Sequence, residues 1–258
     1  MPAMCQDDAS AKAALDGPVA LTVVIPAYNE ERRIGASLER MVDYLARGPA
    51  SCELIVVDDG SADGTAQVVT AAAQDNPCIR LVRNERNRGK GRAVARGMLE
   101  ARGEALVFSD ADLSTPIEEL DRMLPLLEDH DVVFASRRLA ESSIEVRQSR
   151  LREFAGRVFH LLVRLIALPG VRDSQCGFKL FRAEAARFLF SRLTVDGWAF
   201  DVEILGLAQK SGMRIIETPV TWRNSADSKV RSLDPLHMFV DLFRIRLRLM
   251  RFDERFAG

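Results

Sequence analysis

Four short apolar runs mark the first half of the chain: ALTVVIP at 20–26, ELIVVDD at 53–59, IRLVRN at 79–84 and EALVFSD at 104–110. Between them lie amphipathic stretches at 30–47, 64–74 and 89–102. The first pattern predicts strands and the second helices, in the order β-α-β-α-β-α-β. Runs of Val, Ile and Leu without strict alternation suit strands covered on both faces. The expected fold class is therefore α/β, an open parallel sheet flanked by helices.

Such sheets bind ligands beyond the carboxyl ends of their strands, which makes the residues after each apolar run informative. They are Pro26, Ala27, Tyr28, Asn29 and Glu30, then Asp58, Asp59, Gly60 and Ser61, then the stretch 84–90, then Asp110 and Asp112. Carboxylates thus line one edge with few cations to neutralise them, a costly arrangement unless a metal or the donors of a ligand are present. In an extended segment, positions i and i+2 face the same side. Asp110 and Asp112 can then converge on one hard cation, Mg²⁺ or Mn²⁺. A solvated turn or helix start is the alternative for this pair, and for Asp59 and Asp63.

Composition narrows the partners. A chain of 258 residues, 47% hydrophobic and 28% charged, can bury a substantial core. Its net charge of −1 excludes a general nucleic-acid binder, which needs an excess of Lys and Arg. Cys5, Cys52, Cys78 and Cys176 are far apart and form no C-x-x-C, and His130, His160 and His237 are equally scattered. Zinc ligation and a disulfide framework are therefore not expected, and a reducing cytosol is the simplest compartment. Residues 1–18 read as a flexible leader, and no stretch reaches the ~18 apolar residues that span a bilayer.

The architecture invites comparison with dinucleotide and P-loop folds. No G-x-G-x-x-G follows the first strand, where PAYNEE stands instead, and G-x-x-x-x-G-K-[ST] is absent. Lys90 and Arg92 in NRGKGR either meet a phosphate or form a solvated helix start.

VVIPAYNEE at 23–31, VVDDGSADGT at 56–65, NRGKGRAVARG at 87–97 and SDAD at 109–112 together resemble the nucleotide-sugar half of a family 2 glycosyltransferase of the GT-A fold. The likeness continues through DSQCGFKLF at 173–181, GWAFDVEIL at 197–205 and SKV at 228–230, and is greatest to the dolichyl-phosphate glucosyltransferases and their bacterial polyprenyl-phosphate relatives. It implies a mostly parallel sheet and inverting transfer of glucose from UDP-glucose to a polyprenyl phosphate. Pro26, Ala27, Tyr28, Glu30 and Asp58 would cradle the uridine. Lys90, Asp110, Gln175, Lys229 and Arg231 would complete the donor site, with Lys229 and Arg231 on a loop that closes over the diphosphate. Asp110 and Asp112 would bind the metal, with Ser114 as a third ligand. Asp201, Glu203 and Asp173 are candidates for a base or for holding sugar hydroxyls, helix capping being the other role open to Asp173.

The acceptor is expected in the second half. Over 147–170, Leu151, Phe154, Val158, Leu161, Leu162, Leu165 and Ile166 recur at helical spacing beside Arg147, Arg150, Arg152, Arg157 and Arg164, with only Glu153 opposed. This basic amphipathic helix suits either a membrane interface or a core-packed position. The resemblance places Arg147 and Arg150 on the acceptor phosphate. A second basic amphipathic stretch, with Arg244, Arg246, Arg248 and Arg251, suits an interface or a homodimer contact.

The expected organisation is a leader over 1–18, a transferase domain over 19–233 with a nucleotide-sugar half (19–136) and an acceptor half (137–233), and a C-terminal helix over 234–258. Eukaryotic dolichyl-phosphate glucosyltransferases carry an N-terminal membrane helix and some bacterial relatives carry C-terminal ones; this chain reads as having neither. An undecaprenyl-type acceptor and peripheral attachment to the cytoplasmic face of the cell membrane follow as expectations. The alternatives are another donor sugar such as mannose or N-acetylglucosamine, a soluble acceptor, or a catalytically silent nucleotide-sugar-binding protein at a membrane.

Overall fold

A computed structural model describes residues 19–48, 51–146, 150–223 and 234–256. Strands β1 (Val19–Ala27), β2 (Cys52–Asp58), β3 (Ile79–Arg83) and β4 (Gly103–Ser109) alternate with helices α1 (Ile34–Leu45), α2 (Thr65–Asp75) and α3 (Lys90–Glu100). Short helical turns over 117–128 lead to β5 (Val132–Ser136) and β6 (Ser143–Val146). Then come α4 (Arg150–Ile166), β7 (Phe178–Arg182), α5 (Ala183–Phe190), α6 (Phe200–Lys210), β8 (Ile215–Pro219), β9 (Thr221–Arg223) and α7 (Asp234–Arg251).

Among the described residues the main sheet has seven strands in the order β3-β2-β1-β4-β7-β5-β8. All neighbours are parallel except β7, which runs antiparallel between β4 and β5. Sheet period explains the apolar runs. Val23, Ile25, Leu54 and Val56 face one layer with Ile34, Leu38 and Met41 of α1, while Val24, Ile55, Val57 and Phe108 face the other with Val94 and Met98 of α3. Both faces are covered, so neither set of alternate residues is polar.

Helix α1 begins at Ile34 rather than at residue 30. Asn29 adopts a left-handed conformation (φ 55°), and the amides of Arg33 and Ile34 both donate to the Glu30 carbonyl. A turn thus precedes the helix and holds 29–33 at the strand end. Gly89, at φ 99°, makes the corresponding turn into α3; a Cβ there would lie 2.4 Å from the Asp196 carbonyl oxygen, so only glycine fits.

The two expected halves share one sheet, because β7 and β8 of the second half pair with β4 and β5 of the first. Helix α7 joins the same core by burying Leu242, Ile245 and Leu249. Gly206 of α6 allows this approach, since a Cβ there would meet Leu249 Cδ1 at 2.4 Å. Helix α4 buries His160, Val163 and, just beyond its end, Ala167 and Leu168, leaving Leu161 and Leu165 exposed. No helix among the described residues is long and apolar enough to cross a membrane.

Candidate active site

From β1 the chain moves outward to β2 and β3, then returns to the opposite side of β1 at β4. The crevice at the carboxyl ends of β1 and β4 is therefore the switch point where such sheets take their ligands. The turn 26–33 borders it on one side and the segment 110–114 on the other.

The acids along this edge have different tasks. Asp59, almost fully buried, accepts from Asn84 Nδ2 at 2.7 Å and from the amides of Arg88 (3.0 Å) and Gly89 (2.8 Å). It shapes the loop that delivers Lys90. Asp63 accepts the Thr65 amide at 3.0 Å at the start of α2. Asp58 is fully buried; its Oδ1 accepts the Ser61 amide at 2.9 Å, while its Oδ2 lies 3.0 Å from Arg83 Nε without an aligned hydrogen bond. Glu30 is clasped by Arg33, which donates from Nη2 to Oε1 at 2.8 Å and from Nε to Oε2. Arg33 Nη1 also lies 3.8 Å from Asp112 Oδ2.

At the end of β4, Asp110 Oδ1 meets Lys90 Nζ at 2.6 Å. The Asp110 amide donates to the Gly177 carbonyl at 3.1 Å. A Cβ on Gly177 would fall 1.9 Å from Asp110 Oδ2, so glycine is what leaves that oxygen its room. Leu113 is left-handed (φ 47°), and the Ser114 amide donates to Asp112 Oδ1 at 3.0 Å. The Asp110 and Asp112 side chains remain 34% and 21% exposed, facing the rim. Burial opposes the charge on Lys90, but Asp110, Asp201 and Asp112 outweigh it and hold its pKa above the ordinary lysine value.

Behind this pair lies a buried one. Lys179, in the middle of β7 and 0% exposed, donates to Asp201 Oδ1 at 2.6 Å and to the Cys176 carbonyl at 2.7 Å. Its ammonium stands 5.3 Å from the Phe108 ring centroid. Burial raises the Asp201 carboxyl pKa, and Lys179 and Lys90 pull against it without cancelling the shift. Among the described residues, hydrogen bonds engage only one of the Asp201 oxygens.

Asp173 and Glu203, expected beside Asp201, are given other work. Asp173 takes Arg137 Nε (2.7 Å), Nη2 (2.9 Å) and amide (3.0 Å), and its Oδ1 also accepts the Gln175 amide at 3.3 Å. Burial opposes ionisation there, yet Arg137 keeps the carboxyl well below the usual range. Glu203, two residues beyond Asp201 on α6, turns to the opposite side of that helix. It accepts from the amides of Thr194 (3.0 Å) and Val195 (2.8 Å), from Thr194 Oγ1 (2.6 Å) and from Arg248. Every oxygen of both acids already has two donors, so neither is free to take a proton from a substrate.

Of the remaining expected residues, Ala27 ends β1 with its carbonyl accepting the Asp59 amide at 2.8 Å. Pro26 and Tyr28 are half-buried at the same edge. Gln175 lies on the loop that carries Gly177. The exposed Arg92 sits in the first turn of α3, its amide bonded to the Asp196 carbonyl at 3.2 Å. Arg147, Lys229 and Arg231 lie outside the described residues, as does the Arg150 side chain.

Sequence reasoning passed over Arg33, Gly177 and Lys179. Arg33 and Lys179 each carry a signal. Arg33 is a cation where a helix begins and where the helix dipole disfavours it. Lys179 interrupts the apolar strand FKLF, and a lysine in a core strand demands a partner.

The Glycosyl transferase family 2 model matches residues 22–190. The chain belongs to this family. It is 40% identical over 237 residues to a dolichyl-phosphate beta-glucosyltransferase of Trichomonas vaginalis, covering 88% of this chain and 70% of that protein. It is 38% identical over 245 residues to the dolichyl-phosphate beta-glucosyltransferase of Homo sapiens, covering 89% and 76%. Among solved structures, glucosyl-3-phosphoglycerate synthase from Mycobacterium tuberculosis, in complex with Mn²⁺, UDP and glucosyl-3-phosphoglycerate, superposes with a TM-score of 0.66 at 23% identity, covering 96% of this chain and 86% of that one. Mannosyl-3-phosphoglycerate synthase from Rubrobacter xylanophilus gives 0.67 at 21% identity, covering 98% and 81%. The fold of this family 2 glycosyltransferase is GT-A, as the motifs implied.

Proposed function

We propose that the protein transfers glucose from UDP-glucose to the phosphate of a polyprenyl lipid, with inversion at the anomeric carbon. One observation carries this reading: the switch-point crevice holds the Lys90–Asp110 pair and Asp112 in a chain 40% identical over most of its length to a dolichyl-phosphate beta-glucosyltransferase.

Mg²⁺ or Mn²⁺ fits the donor set. Among the described residues no three His, Cys, Asp or Glu side chains gather at one point. Asp110 and Asp112 would hold the cation through their carboxylates. When bound, such an ion neutralises charge developing on the departing UDP. The Ser114 amide orients Asp112, and the Ser114 hydroxyl would be the third protein ligand. Lys90 supplies a further positive charge beside the diphosphate, the group to which the family resemblance also assigns Lys229 and Arg231.

Pro26, Ala27, Tyr28 and Glu30 frame the nucleoside, and Asp58, whose fully buried side chain takes the Ser61 amide and lies beside Arg83, shapes the strand end behind them. Asp201 uses its second oxygen to hold a glucose hydroxyl. The acceptor phosphate, whose second ionisation lies near pH ~6 by analogy with phosphoseryl groups, attacks C1 from the face opposite UDP. The bond from C1 to the β-phosphate oxygen breaks, and its electron pair leaves with UDP. An anionic nucleophile needs no protein base, which agrees with the fully occupied oxygens of Asp173 and Glu203. Arg147 and Arg150 meet the acceptor phosphate. The reaction runs at a membrane surface, on the cytoplasmic side, with the protein attached peripherally.

A donor panel tests the sugar. With a polyprenyl phosphate and Mn²⁺ present, UDP-glucose should turn over at least 10-fold faster than UDP-N-acetylglucosamine or GDP-mannose, a discrimination within reach of a site that pairs a hydroxyl. Equal or inverted rates would refute the glucose assignment.

A further inference from the structure

Helix α7 has two faces. Leu242, Ile245 and Leu249 are buried against the core, whereas Phe239, Val240, Phe243, Leu247 and Met250 are between 39% and 57% exposed. At 100° per residue the five exposed apolar side chains fall within one stripe about 100° wide. Phe239 and Phe243 pack edge to face within it, their centroids 5.0 Å apart. Arg246 borders the stripe on one side, and Arg251 and Arg244 border it on the other. All three are exposed. The nearest acid on the helix, Asp241, lies off the stripe and is paired with Arg244 at 3.3 Å.

We infer that this stripe is a bilayer-docking surface: the five apolar side chains enter the acyl boundary, and Arg244, Arg246 and Arg251 reach anionic headgroups. Charge decides between a bilayer and a second copy of the chain. Two such stripes brought together would set arginine rows against each other with no acid on the stripe to pair them, whereas an anionic surface neutralises them. The helix is fixed to α6 through Leu249 and Gly206, so a docked stripe also fixes the orientation of the catalytic sheet. This deepens the lipid-acceptor reading and rests on it only for its purpose.

The full-length protein should co-sediment with vesicles of mixed phosphatidylglycerol and phosphatidylcholine, without donor or acceptor, and less so at high salt. Phe243→Glu with Leu247→Glu should lower that partition at least 10-fold, and so should Arg246→Glu with Arg251→Glu. Because these side chains face solvent, thermal unfolding should be unchanged, as should turnover of a short-chain, water-soluble polyprenyl phosphate. Turnover of a long-chain acceptor in vesicles should fall. Retained vesicle binding in either double variant would overturn the inference. So would a wild-type dimer in analytical ultracentrifugation that Phe243→Glu with Leu247→Glu makes monomeric while vesicle binding persists. Vesicle binding without glucosyl transfer would refute the proposed reaction and leave the docking surface standing.

Discussion

Lys90 Nζ lies 2.6 Å from Asp110 Oδ1, joining the start of α3 to the end of β4 across the crevice. The contact depends on Asp59, which holds the preceding loop through the Arg88 and Gly89 amides. One acid of the edge is thus spent on placing the cation that neutralises another. Replacing Lys90 by Met would leave Asp110 without its ion pair and the donor diphosphate without a neighbouring charge. A loss of about 100-fold in kcat/KM is expected, comparable to removing one preorganised charge-stabilising donor. Steady-state kinetics with varied UDP-sugar would measure it, and a loss under threefold would place Lys90 outside the donor site.

Gly177 offers a sharper probe of the same pair. Its substitution by Ala puts a methyl 1.9 Å from the present position of Asp110 Oδ2, so the carboxylate must move. Metal-dependent UDP affinity should weaken at least 10-fold in calorimetric titration. The unfolding free energy should fall by no more than about 2 kcal/mol, within the usual range for a single substitution. Unchanged affinity would show that Asp110 Oδ2 is not used.

Much of this was legible in the chain. The apolar runs at 20–26, 53–59, 79–84 and 104–110 became β1 to β4 because strands covered on both faces need no polar alternate. The acids after those strands did reach one edge. What the sequence hid was pairing. Arg33 neutralises Glu30 from three residues away, but Lys90 reaches Asp110 and Lys179 reaches Asp201 only through the fold. Asp173 and Glu203 looked as available as Asp201, since nothing local announces that Arg137 or the 194–195 amides will occupy them. The antiparallel β7 was equally unreadable, because strand direction is set by long connections rather than by residue pattern. The apolar side of α4 was only partly a surface: Val163 is buried, while Leu161 and Leu165 are not.

His160 gives a prediction in pH. It is buried on α4 with Nε2 3.8 Å from Asp173 Oδ1. Burial, helped by Arg138 and Arg137 and opposed by Asp173, lowers its pKa from 6.5 to about 4. The folded protein therefore excludes a proton that the unfolded chain binds. The resulting stability is present above pH 6.5 and is lost as pH falls toward about 4. Between pH 7 and pH 5 the wild type should lose about 2 kcal/mol more than His160→Gln, measured by urea unfolding. The depressed carboxyl of Asp173 acts at lower pH, below the ordinary Asp value of about 3.9, so the two effects separate. Parallel pH profiles for wild type and variant would show that His160 is not held neutral.

The most direct measurement is mass spectrometry of the organic-soluble product formed by purified protein, UDP-glucose, Mn²⁺ and a polyprenyl phosphate. The expected result is a β-linked glucosyl polyprenyl phosphate accompanied by UDP release. It should disappear with chelator or with Asp112→Asn, and should not be matched when 3-phosphoglycerate replaces the lipid. UDP release that prefers the soluble phosphate, or full activity in Asp112→Asn with chelator present, would contradict it.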